Sequence, residues 1–289
     1  SMYQLFCDSN CELWHTTIKE LGLNVIRMPY VLDGQEYFYD MGEATDFDHF
    51  YKRMREGAVP TTSAINEQDY IDYFEPILKA GDDIFYITFS HKLSATFESM
   101  DRAIATLKER YPERTVRTFD TKSISLGAGF QVYYAAKKYK EGATMDELEA
   151  YLADISAHTV VYFIVDDLVY LKRGGRISAL TAAFGSLLNI KPIISIMPDG
   201  SLKSVGKVKG AKRVFSEFIR IMRHKKCDVQ NYRVEVLQAD CKDTGDAFVD
   251  ALKAEFGENI QIDYQIVGPV IASHCGPGTL GVIFHGESR

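Results

Sequence analysis

Across its first half the chain alternates short apolar runs with amphipathic stretches of roughly ten to fifteen residues, and this constrains the fold more than any other property of the sequence. Tyr3–Cys7 is an apolar run ending at Asp8-Ser9, and Val25–Met28 is a second, stopped by Pro29. Helical patterns follow over 47–56 and 67–79, with the turn-rich segment Gly57–Ser63 between them. Ile84–Phe89 is β-branched and aromatic, and a long helical pattern runs from Thr96 to Arg110. Val116–Phe119 and a helical stretch reaching Lys140 complete the series. Strands separated by helices of this length pair in parallel, because a parallel connection needs a crossover long enough to hold a helix.

The pattern changes after a helix at 145–158. Val160–Val165 reads as a strand, and Ile193–Ile196 with Leu202–Lys207 reads as a hairpin across Pro198-Asp199-Gly200. Helices at 211–226 and 244–256 flank a strand at Val234–Leu237. Three short strands are expected last, at Ile260–Ile266, Val270–Ser273 and Leu280–Phe284. The expectation is an α/β protein: an N-terminal parallel-sheet domain over 1–158 and a smaller α+β domain over 159–289, with a ligand site between them.

Thirty-three basic against forty acidic residues give a formal charge of −7, which argues against broad nucleic-acid binding. The five cysteines form no CxxC pair, so neither a disulfide framework nor a zinc site is expected, and a reducing cytoplasm is the default. No segment has the roughly twenty apolar residues of a membrane span. Ser1 reads as a remnant ahead of a natural start at Met2.

Four segments could carry chemistry. In Lys172-Arg173-Gly174-Gly175-Arg176 two glycines between arginines would expose backbone amides beside fixed positive charge, as an anionic headgroup requires. The same residues would equally serve as a helix C-terminus capped by Gly174. The apolar flank 177–190 suits a greasy ligand. Pro60-Thr61-Thr62-Ser63 precedes a helix, so its hydroxyls either cap that helix or bind an anion. Ser94 and Ala95 follow the strand 84–89 and open the next helix, at the carboxyl end of a parallel strand, where α/β proteins place ligands. Ser273-His274-Cys275-Gly276-Pro277-Gly278 would present His274 from a rigid loop.

Other motifs fail. Gly127-Ala128-Gly129 begins like a dinucleotide loop, but Val132 occupies the third-glycine position. Neither a phosphate-binding GxxxxGK[ST] loop nor a GxSxG nucleophile elbow occurs, and no metal-ligand cluster stands out. Any ATP would have to come with a partner.

Taken in order along the chain, Asp8-Ser9, Thr61-Thr62-Ser63, Leu93-Ser94-Ala95-Thr96, Phe119-Asp120-Thr121 with Ser125-Leu126-Gly127-Ala128-Gly129, the 166–192 block and Ser273–Gly278 resemble the DegV family of fatty-acid-binding proteins. The resemblance implies two domains with a long-chain fatty acid such as palmitate buried between them as the only ligand, and no cofactor. It implies that Thr62 and Ser94 hold the carboxylate, with Thr61, Ser63 and Ala95 adjoining, and that Arg173, Arg176 and His274 surround the headgroup. Some members are the acyl-binding subunit of bacterial fatty acid kinase, so a separate ATP-binding subunit is the implied partner, forming acyl phosphate for phospholipid synthesis; a monomer suffices for the role. Lipid transport or sensing without a kinase is the alternative, and a hydrolase using Ser94 with His274 a third. The family's LSGT turn is LSAT here; if that position required a positive φ, Ala95 would shift the loop.

Overall fold

The structure is a computed structural model and describes residues 2–176 and 190–289. Its N-terminal strands are β1 (Tyr3–Asp8), β2 (Asn24–Ile26), β3 (Pro29–Leu32), β4 (Gln35–Phe38), β5 (Thr61–Thr62), β6 (Asp83–Thr88) and β7 (Val116–Asp120). Four of them form a parallel sheet in the order β2-β1-β6-β7. Every residue of β6 is buried, as the unbroken apolar run Ile84–Phe89 demands of a strand covered on both faces. Helices supply the cover. Glu67–Lys79 starts at a reciprocal cap between Asn66 and Asp69, and Met145–His158 at one between Thr144 and Glu147.

A second, antiparallel sheet of order β4-β3-β5 was not expected. Pro29 looked like a stop, yet it opens β3, a position where its missing N–H costs little. Thr61-Thr62 pairs with Val31 and Tyr30 as a two-residue strand. The helix that follows is capped by Asn66, so the Pro60–Ser63 hydroxyls do not cap it.

The C-terminal strands are β8 (Thr159–Ile164), β9 (Ile190–Ile196), β10 (Leu202–Lys209), β11 (Val234–Gln238), β12 (Ile262–Ile266) and β13 (Leu280–His285). They form a separate sheet of order β10-β9-β8-β13-β11-β12, antiparallel except between β11 and β12. The expected hairpin is present, with Gly200 at a φ of 91° in its turn. Side chains alternate between the sheet's two faces with period two. Val160 and Ile164 on β8, with Leu280, Val282 and Phe284 on β13, join a core with Phe218 and Phe248 of the covering helices. Val161 and Ile283 point the other way and join the core of the N-terminal region.

Two expectations are corrected. Val270–Ser273 is not a strand; it lies in a helix, Pro269–Cys275, with Pro269 in the first turn where proline is favoured. Ser273 Oγ also bonds back to the Pro269 carbonyl at 2.7 Å. The apolar run before Lys172 reads from its residues as strand-like, and it too is helical, over Val169–Arg173. Both stretches are apolar and short, and such runs have no period to decide between helix and strand.

Candidate functional site

A cavity of about 270 Å³ lies where the carboxyl ends of the parallel strands meet the inward face of the C-terminal sheet. Met28, Phe89, Val161, Phe163, Val270 and Ile283 make its wall largely apolar. A shallow depression on the surface shares Leu93, Ser94, Ala95, Arg176 and Leu202 with it, and so marks its mouth.

Six of the residues singled out in the sequence meet in this wall: Thr62, Ser63, Ser94, Ala95, Arg176 and His274. Two do not. Thr61 precedes Thr62 in a strand, where successive side chains take opposite faces, and it is exposed. Arg173 is exposed on its short helix, its guanidinium 5.6 Å from the Tyr170 ring.

The central polar contact joins Thr62 Oγ1 to His274 Nε2 at 2.8 Å, across 212 positions of sequence. Burial, aided by the positive charge of Arg176, lowers the His274 pKa to about 4, so the ring is neutral near pH 7. Gly174 makes room for it: a Cβ there would stand 2.5 Å from His274 Nδ1. The Val169–Arg173 helix does end at Gly174, but the left-handed residue is Gly175, at a φ of 69°. The glycine pair thus both ends a helix and admits the histidine. Arg176 is half-buried and donates to the Gly174 carbonyl.

Ser94 Oγ accepts the Thr96 backbone N–H at 3.1 Å and so serves the first turn of the Thr96–Arg110 helix, with Ala95 between them. Ala95 has φ −78° and ψ −5°, ordinary right-handed geometry that alanine adopts without strain. The substitution of alanine for glycine therefore does not displace this loop. Ser94 and His274 do not form a nucleophile–base pair, since His274 Nε2 faces Thr62; that counts against a hydrolase.

Sequence reasoning missed the residues that anchor the histidine. Glu12 Oε2 accepts the Gly268 N–H at 3.0 Å, and the Tyr51 hydroxyl donates to the Val267 carbonyl at 2.5 Å. Together they pin the start of the helix whose last turn carries His274. Burial pushes the Glu12 pKa up to about 8. Asp8, fully buried, accepts from Tyr86 Oη at 2.7 Å and from two backbone amides, and burial raises it to about 7. No local signal announces Glu12, because its partner is 256 positions away. Of the expected greasy flank 177–190, residues 177–189 lie outside the described residues and Ile190 opens β9. Among the described residues no group of three or more acidic, histidine or cysteine side chains could hold a metal ion, and no helix is long and apolar enough to cross a membrane.

The model of the DegV family of uncharacterised proteins matches residues 2–287. A DegV domain-containing protein of Clostridium perfringens is 33% identical over 288 residues, covering 99% of this chain and 98% of the relative. Among solved structures, a DegV family protein of Thermus thermophilus described for its fatty acid binding is 29% identical with a TM-score of 0.84, covering 99% of this chain and 100% of that one. A DegV lipid-binding protein of Thermotoga maritima is 25% identical with a TM-score of 0.83, and each chain covers the other completely.

Proposed function

The chain belongs to the DegV family, and from that premise we propose that it binds one long-chain fatty acid in the cavity between its two halves and holds the carboxylate at the mouth. The observation that carries this reading is the join between an apolar cavity and a polar mouth where Thr62, Ser94, Arg176 and His274 converge. A sixteen-carbon tail gains up to ~12 kcal/mol on leaving water, at ~0.8 kcal/mol per methylene. Association and chain ordering take back part of this, and the remainder still supports retention through purification. A carboxylate drawn to the edge of such a cavity needs donors, because an unpaired buried charge is costly. Thr62 and Ser94 hydroxyls supply them, with Ser63 and the backbone at Ala95 adjoining. The Ser94 oxygen already accepts from Thr96, so its proton is free to be donated outward.

In the fuller form of this reading the protein is the acyl-binding subunit of a fatty acid kinase. The carboxylate sits at an opening flanked by Lys92 and Arg176, within reach of a partner that brings ATP. Arg176, with Arg173 on the adjoining surface, would offset the charge of the acyl phosphate as it forms. The chain has no phosphate-binding loop of its own, and its free cysteines suit a reducing cytoplasm.

Mass spectrometry of the denatured purified protein tests the core of the proposal, and a fatty acid should be released in a one-to-one ratio. Finding none, together with no uptake of added palmitate, would overturn lipid binding. The kinase role stands or falls separately. Acyl phosphate should form only when this protein, an ATP-binding partner from the same genome and ATP are combined.

A further inference from the structure

A plain hydrocarbon tail leaves one stretch of the cavity wall unexplained. Asn10, just after β1, and Ser125, just before the Leu126–Lys140 helix, both line the cavity and are 8% and 7% exposed. Asn10 Oδ1 is buried without a hydrogen-bond partner among the described residues, and the Ser125 hydroxyl faces the Glu12 carboxyl, whose pKa it lowers. Behind them Glu12, 1% exposed, accepts the Gly268 N–H on one carboxyl oxygen and has Ser125 as the polar neighbour of its carboxyl group.

The backbone here is also unusual. Ser125 has φ 56° and ψ −144°, a region that residues other than glycine avoid, and Glu12 has φ 57°. Ser125 does not use its hydroxyl to cap the helix it precedes. Orphaned polar groups and a strained backbone are both costly, and they cluster where a ligand is held. Methylenes pressed against this wall would leave Asn10 Oδ1 unsatisfied and give the Ser125 hydroxyl nothing on the cavity side. A hydroxyl at the matching depth would donate to Asn10 Oδ1 and accept from the Ser125 hydroxyl.

Building on the reading of the cavity as a fatty-acid site, we propose that Asn10 and Ser125 form a second polar subsite, and that the preferred ligand is an acyl chain bearing one oxygen function part-way along its length. The carboxylate occupies the mouth, and the chain oxygen meets Asn10 and Ser125. Glu12 fixes the geometry from behind as a positioning residue.

The test compares stearate with a series of stearates carrying one hydroxyl at successive mid-chain carbons, each competed against a fluorescent fatty acid on the delipidated full chain. One position in the series should bind about tenfold more tightly than stearate, the worth of one well-made hydrogen bond in a dry site. Ser125→Ala and Asn10→Ala should each erase that advantage, bringing the ratio of hydroxystearate to stearate affinity measured on the same variant to about one. The subsite is overturned if no hydroxystearate outcompetes stearate on the unaltered protein, a result that does not depend on any variant folding. It is equally overturned if the advantage survives both substitutions. Failure of stearate and every analogue to bind would instead remove the fatty-acid reading itself, and the subsite with it.

Discussion

The two walls of the cavity are made by different kinds of sheet, and each contributes what its geometry makes available. The parallel sheet offers strand ends. Beyond the carboxyl ends of β1, β6 and β7 the chain turns into loops and helix starts, where Asn10, Ser94 and Ser125 carry polar groups. The antiparallel sheet offers a face instead. Its alternating side chains turn Val161, Phe163 and Ile283 into the cavity and send Val160, Ile164 and Val282 to a separate core. An amphiphile needs one wall of each sort, so joining an end to a face prepares a lipid site before any particular residue is chosen.

The largest expected effect tests the link between the walls. Burial raises Glu12 from 4.5 to about 8 and Asp8 from 3.8 to about 7. Both acids keep protons in the folded chain that the unfolded chain gives up, so their contribution to stability is complete below pH 3.8 and lost as pH rises through about 7 to 8. Chemical denaturation should show stability falling by a few kcal/mol over that window, with Glu12→Gln flattening its upper part. A level profile for the unaltered protein would contradict the burial of these carboxyls.

Next is the apolar face. Gly281, the second residue of β13, lines the cavity, and Gly281→Leu would fill the space of several methylenes. Displacing about four of them should weaken fatty-acid binding roughly a hundredfold by titration. Unchanged affinity would move the tail elsewhere. On the polar side, Thr62→Val removes one donor and leaves His274 Nε2 unpartnered, so affinity should drop about tenfold, and Thr62→Ser should restore most of it.

His274 gives a subtler comparison of empty and filled states. In the ligand-free protein its ring should stay neutral as pH falls to about 4, followed by NMR of the imidazole carbons, and a bound carboxylate should raise that midpoint. The smallest effect is expected at position 95. Because its backbone is right-handed, Ala95→Gly should leave lipid affinity unchanged and cost about 0.5–1 kcal/mol of stability in a thermal melt.

Much of the architecture was legible because it rests on local period. The long helices and the fully buried β6 declare themselves in a few residues, and the hairpin of β9 and β10 is marked by Pro198-Asp199-Gly200. Short apolar runs were not legible. Val270–Ser273 could be strand or helix until Pro269 is seen to occupy a first turn. β5 consists of two threonines that become a strand only because β3 is there to pair with them. The same divide runs through the site. Thr62, Ser94, Arg176 and His274 were found through hydroxyl, glycine and charge patterns, and they converge. Arg173 and Thr61 fit the same patterns and face away, since facing is decided by a helix turn or a strand's alternation. Glu12, Tyr51, the Ser125 hydroxyl and the unpaired oxygen of Asn10 left no trace in the sequence, because their roles come from distant neighbours or from having none.

The seven-residue helix Pro269–Cys275 belongs by sequence to the C-terminal half, yet both of its ends are tied to the other half. Glu12 and Tyr51 hold the residues at its start, and Thr62 holds His274 in its last turn. Parting the halves along this seam would have to break all three ties. Exchange of a bound lipid by that route would have to wait for these ties to open, and the residence time of the cargo would then depend on them as well as on the length of its tail.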